Sequence, residues 1–154
     1  MRIGRYDDGI EQLRKAVKTE PNMALAHRHL WFAAHQQRKY GEALAEAKTF
    51  LGLAGHADVA EALARGYTEA GYRGAMRAAA EKPAARSQRT YVQPTHIAGF
   101  YAYAGDNDQA LEWLEKSYEA HDSWMVFLKD DLRWENLRSY PRFHDLLQRM
   151  KIPD

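Results

Sequence analysis

The chain has 154 residues, 45% of them hydrophobic and 28% charged, enough for one globular domain with a sizeable core. Its 22 basic and 21 acidic side chains leave a formal charge of +1, so no global field draws in nucleic acid or an anionic membrane. The absence of cysteine removes disulfides, thiolate metal sites and thiol nucleophiles together and fits a cytoplasmic location, and the longest apolar runs, such as "WMVFL", are too short to span a bilayer.

Apolar positions spaced by three and four predict helices along the whole chain. The first runs from Tyr6 to Thr19 and is closed by Pro21. A second carries Leu30, Trp31 and Ala34, and a third carries Ala43, Ala47 and Phe50. The fourth spans Asp58 to Ala70, with Leu63, Ala64 and Tyr67 on its packing face and Gly71 as a left-handed terminator. From residue 72 to residue 92 the pattern admits one long bent helix or two short ones, and the stretch fits the template poorly, with Pro83 where a helix would be expected to continue. Ile97, Ala98 and Tyr101 then mark a helix ended by Gly105. Asp106 or Asn107 caps its successor, which carries Ala110, Leu114 and Ser117. Beyond Asp122 the apolar residues Trp124, Phe127, Leu128, Trp134, Leu137, Phe143, Leu146 and Leu147 are spread through a charged background, and Pro141 suits the first turn of a terminal helix.

The same template recurs along these helices. Small residues stand at Gly9, Ala43 and Ala110, 34 and then 67 residues apart, and the bulky, small, aromatic set of the second helix returns near Leu63 and again near Ile97, at steps of 33 and 34. With these marks the chain resembles the tetratricopeptide repeat family. That resemblance implies an all-α fold: a right-handed superhelix of antiparallel helix pairs with a C-terminal capping helix. It divides a single domain, 1–154, into a half repeat (1–21), a repeat (24–56), a degenerate repeat (57–90), a repeat (91–122) and a cap (123–154). The stretch "EWLEKSYEAHDSWMVFLKDDLRWENLRSYPRFHDLLQRMKIP" is similar to the ends of tetratricopeptide regions attached to bacterial protein kinases, adenylate cyclases and winged-helix transcription regulators, although Tyr140 stands where those commonly have Asp. The half repeat is a second helix without its first. Its apolar side is expected to be partly exposed, or covered by something outside this sequence, as at the end of a longer array.

The resemblance also implies that the first helices line a concave wall. On such helices a two-residue step turns about 200°, so the groove positions lie opposite the packing slots. They are Leu25, Arg28, Phe32, His35 and Gln36 in one repeat, Glu61, Arg65, Thr68 and Glu69 in the next, and Thr95, His96, Gly99 and Tyr103 in the last. This wall mixes charge with aromatic rings, which suits a peptide or helix carrying both apolar and charged groups. Phe32 and Gly99 stand where the two-carboxylate clamp of some family members places asparagines.

Motifs for phosphate loops, nucleophile elbows, paired-histidine zinc helices and dinucleotide glycines are absent, so neither an enzyme nor a cofactor is expected. Of the seven histidines, His27 is expected in a packing slot and His29 and His35 facing solvent or a partner, with no metal. Asp130, Asp131 and Glu135 read as a solvated face, as do the basic residues Arg73, Arg77, Lys82, Arg86 and Arg89, near Tyr91, rather than as a nucleic-acid site. The expected function is a non-catalytic protein-interaction scaffold, the C-terminal module of a bacterial signalling or regulatory protein. Its alternatives are a self-associating structural module forming a homodimer and, third, a small-molecule sensor or enzyme.

Overall fold

Apolar spacing by three and four, with reversals at residues that tolerate a left-handed backbone, produces helices and no strand among the residues that the structure, a computed structural model, describes: 3–151. The first two positions of the expected half repeat and the last three of the cap lie outside that range. Where the sequence reading expects one domain, the chain forms two compact units, Met1–Ala64 and Arg65–Asp154. The boundary falls inside a helix of the repeat that the sequence marks as degenerate.

The first unit holds α1 (Ile3–Thr19), α2 (Ala24–Gln36) and α3 (Tyr40–Leu53). α2 packs most extensively on α3, through Ala43 and Ala47, both fully buried, while Trp31 tilts against Phe50 with ring centroids 6.2 Å apart. Small residues at the crossing let two backbones approach and the larger side chains fill in around them. The turn after α2 passes through Arg38, which takes a left-handed conformation (φ 59°), and the Lys39 N–H closes it on the Ala34 carbonyl at 2.8 Å. α1 sets Ile10 against Leu30 and Ala33, with Leu13 and Val17 half-buried beside them. The helix expected to lack a mate thus has its apolar side partly covered by α2.

α4 (Ala57–Arg86) is broken at Ala70 and Gly71, where φ at Gly71 is 69°. The glycine expected to end a helix does reverse the chain. After the break the helix runs on through Pro83, where the template expects a helix to continue although proline disfavours it. Pro83 lies in the last turn, so its missing N–H removes only one helical hydrogen bond, and the Ser87 N–H still donates to its carbonyl at 2.9 Å. Ala75, Met76, Ala79 and Ala80 form the buried face of this segment. A Cβ placed on Gly66 would lie 2.4 Å from the Gly74 carbonyl oxygen, and one on Gly74 would lie 2.5 Å from the Ala70 Cβ. The two arms therefore cross closer than any side chain allows. Tyr67, expected on the packing face, is 43% exposed. The glycine crossing brings the arms together one residue earlier, at Gly66.

α5 (Pro94–Ala104) and α6 (Asn107–Glu119) form the second close pair, joined by Gly105 in the left-handed region (φ 76°). Ile97, Ala98, Tyr101, Ala110, Leu111 and Leu114 are buried between them, with Ala80 of α4 in the same cluster. Asp106 occupies the position before α6 but makes no capping hydrogen bond; its carboxylate instead faces the Arg77 guanidinium at 3.7 Å. Two 3-10 helices, Ser123–Phe127 and Leu132–Leu137, then lead to α7 (Pro141–Arg149), which starts on Pro141 as expected. Leu128, Trp134, Leu137, Phe143, Leu146 and Leu147 close the cluster. Phe127, expected among them, points outward and is 52% exposed. With three residues per turn, the 3-10 helix places Trp124 and Phe127 on one side, away from Met125 and Leu128.

Candidate functional site

The α2 surface turned away from α3 is where the sequence places the docking wall. Leu25 and Gln36 are exposed there, Leu25 at 58%, and Arg28, Phe32 and His35 between them are half-buried. Leu25, Phe32 and Gln36, spaced by seven and four, make a stripe three turns long. The His35 ring meets Tyr40 edge-on at 6.2 Å, and burial lowers its pKa to about 4, so the ring is neutral at physiological pH.

His27, on the opposite side of α2, is buried as expected, but it is a polar tie as well as a packing residue. Its Nδ1 lies 2.6 Å from a Glu46 carboxylate oxygen of α3 and its Nε2 lies 2.7 Å from the Pro21 carbonyl. Both partners only accept, so both contacts are satisfied only when both ring nitrogens carry protons. Burial alone would lower the pKa of this group. The hydrogen bonds to Glu46 and to the Pro21 carbonyl, with the Glu46 charge, outweigh burial and hold it above the usual value.

The two histidines give the first unit a stability maximum in pH. A folded-state pKa raised above the unfolded value contributes stability that is complete below about pH 6.5 and is lost as pH rises through the raised value. That is the His27 limb. A lowered value, as at His35, costs stability as pH falls from about 6.5 toward about 4, because the unfolded chain takes the proton first. Denaturant midpoints followed from pH 4 to pH 9 should therefore peak near neutrality. His27→Gln should flatten the alkaline limb and leave the acid one; an unchanged alkaline limb would mean that the His27 contacts are not made by the imidazolium.

On α4 the expected wall residues Glu61, Arg65, Thr68 and Glu69 are exposed. On α5 the outcome differs, because the chain covers its own wall. Thr95 is buried and donates both its N–H (3.1 Å) and its hydroxyl to Asp122. Gly99 lies under Arg133: a Cβ there would stand 3.1 Å from a guanidinium nitrogen. His96 is exposed but sets its ring 6.3 Å from Trp124, which in turn stands 5.7 Å from Phe127. Tyr103 is only 8% exposed. The expected docking residues of α5 are thus lost as an open wall, Thr95, Gly99 and Tyr103 by burial and His96 by its contact with the segment following α6.

Two residues organise that cover, and sequence reasoning gave neither a role. Asp122 accepts from the Gln93 side chain (2.8 Å) and the Trp124 N–H (3.0 Å) in addition to Thr95, tying the start of α5 to the end of α6. Burial alone would raise its pKa. The Thr95 hydroxyl, the Trp124 N–H, the Gln93 amide and the Thr95 N–H outweigh that and hold the carboxylate below its usual range. Arg133 is held by a two-pronged contact to Asp131 at 2.9 and 2.6 Å, with its guanidinium 4.9 Å from the Trp134 ring centre. Asp131, expected on a solvated face, is the Arg133 anchor and also caps the second 3-10 helix through the Arg133 N–H at 2.9 Å.

No described helix is long and apolar enough to cross a membrane, and among the described residues no three His, Cys, Asp or Glu side chains converge as metal ligands. No protein-family model, curated protein or solved structure matches the chain. What it binds is therefore read from its own surfaces.

Proposed function

We propose that this chain is a non-catalytic docking module of tetratricopeptide-like helix pairs, and that the exposed side of α2 receives a partner peptide or helix. The observation that carries the reading is the division of α2 into two faces. Ala26, His27, Leu30, Trp31, Ala33 and Ala34 are buried on one, while the other sets Leu25 out at 58% exposure at the end of a stripe through Phe32 to Gln36. An apolar side chain that folding leaves in water can be covered at no cost to the fold, and two apolar residues seven positions apart on one side of α2 match the apolar face of an amphipathic segment. Support for the stacked-pair architecture comes from the small-residue crossings of α2 on α3 and α5 on α6 and from the 34-residue recurrence in the sequence.

The test is a selection of peptides from a random display library on the full chain, followed by affinity measurement on variants. Leu25→Asp should weaken the selected peptides at least about tenfold, since it removes one apolar anchor and places a charge in an apolar contact. Equal affinity for wild type and Leu25→Asp would remove this face from consideration. Self-association is the second reading, favoured by Val126 and Phe127, 67% and 52% exposed on the first 3-10 helix. Sedimentation over a hundredfold concentration range distinguishes it: a rising mass that Val126→Asp abolishes would replace docking with dimerisation.

A further inference from the structure

α1 is lightly held in the first unit. It packs chiefly on α2, where Ile10 is buried against Leu30 and Ala33 while Leu13 and Val17 are only half-buried. A cleft separates it from α3, lined by Arg14 of α1 and by Glu42 and Glu46 of α3. Arg14 faces Glu42 across that cleft at 3.7 Å, but both side chains are exposed, and such pairs contribute little. What remains is the turn joining α1 to α2. Within it the Met23 N–H reaches the Glu20 carbonyl only at 3.3 Å, whereas the Pro21 carbonyl accepts from the His27 ring at 2.7 Å.

His27 on α2 thus holds two other elements with two protons. Its Nε2–H holds the turn, and its Nδ1–H holds α3 through Glu46 at 2.6 Å. Neither acceptor can supply a hydrogen, so removal of one proton must break one contact. Charge decides which. A hydrogen bond to a carboxylate is about twice as strong as one to a neutral carbonyl, so the neutral ring keeps its proton on Nδ1, toward Glu46. The bare Nε2 then turns a lone pair toward the Pro21 carbonyl oxygen, and the two repel. The other charged groups on this side, Arg14, Lys39 and Glu42, line the cleft beside Glu46, and Glu46 is the one whose charge acts on the ring.

We propose that His27 is a proton-controlled latch on α1: the imidazolium holds the α1–α2 turn, and loss of its Nε2 proton frees that turn and lets α1 leave α2 while α2 and α3 stay paired. The α2–α3 pair survives because Ala43 and Ala47 at its crossing, and Trp31 against Phe50, do not involve the turn. Opening uncovers Leu30 and Ala33. The latch does not depend on the outer stripe of α2, since His27 lies on the opposite side of that helix. Burial lowers the His27 pKa in the closed form, but the hydrogen bonds to Glu46 and Pro21 outweigh it and hold the value above the usual one, so protonation favours closure. Closure is therefore complete below about pH 6.5 and is lost as pH rises through the raised value.

The experiment uses the full chain with spin labels at Gln12→Cys on α1 and Lys48→Cys on α3, two exposed positions; the chain has no cysteine of its own, so the labels go only there. Double electron–electron resonance should give one distance at about pH 6, and above that a second, longer population that grows by at most about tenfold per pH unit, as one proton dictates. A control pair, His29→Cys on α2 with Lys48→Cys, should keep a single distance throughout. His27→Gln should make the α1 distances independent of pH. Glu46→Gln removes the charge that retains the proton and should start the opening at lower pH. A single α1 distance up to about pH 9 in the otherwise unaltered chain, an opening that still follows pH in His27→Gln, or a control pair that spreads in step with α1 would overturn the proposal.

Discussion

Replacing Gly66 with alanine is expected to destabilise the second unit by about 3 kcal/mol, the upper part of the range for overpacking. The added methyl would stand 2.4 Å from the Gly74 carbonyl oxygen and 2.8 Å from the Ala78 Cβ. The first of those neighbours is backbone and the second is a Cβ, so neither can swing aside as the tip of a long side chain does. The arms of α4 must separate, which loosens the packing of Ala75, Met76 and Ala79 against their neighbours. Alanine is the better helix former by about 1 kcal/mol, so propensity alone predicts the opposite sign. Thermal unfolding decides between them. For a unit of this size the clash should lower the transition by roughly 12–24 °C, whereas a rise in Tm would show that the arms do not cross at these glycines.

The second large effect concerns Asp122. Asp122→Ala should cost the same unit about 3–5 kcal/mol, because it leaves the Thr95 hydroxyl, the Thr95 and Trp124 N–H groups and the Gln93 amide without their acceptor in a nearly dry site. Asp122→Asn should recover part of this, since one amide oxygen still accepts. The sign of the pH dependence follows from the lowered pKa. A carboxylate whose folded-state value lies below its unfolded value contributes stability above the unfolded pKa and loses it as pH falls through the folded one, so the wild-type advantage over Asp122→Asn should shrink in acid. Urea midpoints for the two proteins at pH 7 and below pH 3 measure this directly. A constant difference would mean that the charge of Asp122 contributes nothing to the tie.

Much of the helical layout was legible in the residues themselves. Ala43, Ala47, Ala110 and Leu114 fall in crossing slots and are fully buried, and Gly71 and Gly105 reverse the chain, because period and residue size are local properties that sequence displays openly. Arg38 and His121 also take left-handed conformations, and nothing in their side chains announces it; the reversal there is imposed by the helices on either side. The α5 wall was misread for a similar reason. Facing direction on a helix predicts what a residue turns toward, but Gly99 turns toward Arg133, thirty-four positions later, and that pairing depends on the path of two 3-10 helices with no hydrophobic period. The candidate site on α2 was readable as a stripe because no part of its own unit folds back over Leu25.

The reversal at Ala70 and Gly71 uses almost no chain, and this limits how the gene can change. Most connections between helices accept an extra residue, which merely lengthens a loop in water. Here an added residue would turn the second arm by about 100° relative to the first, carrying Gly74 away from Gly66 and bringing a residue with a side chain into its place. Variation in length should therefore accumulate at other turns, while this hairpin changes, if at all, by coordinated replacement of both glycines and the alanines that face them.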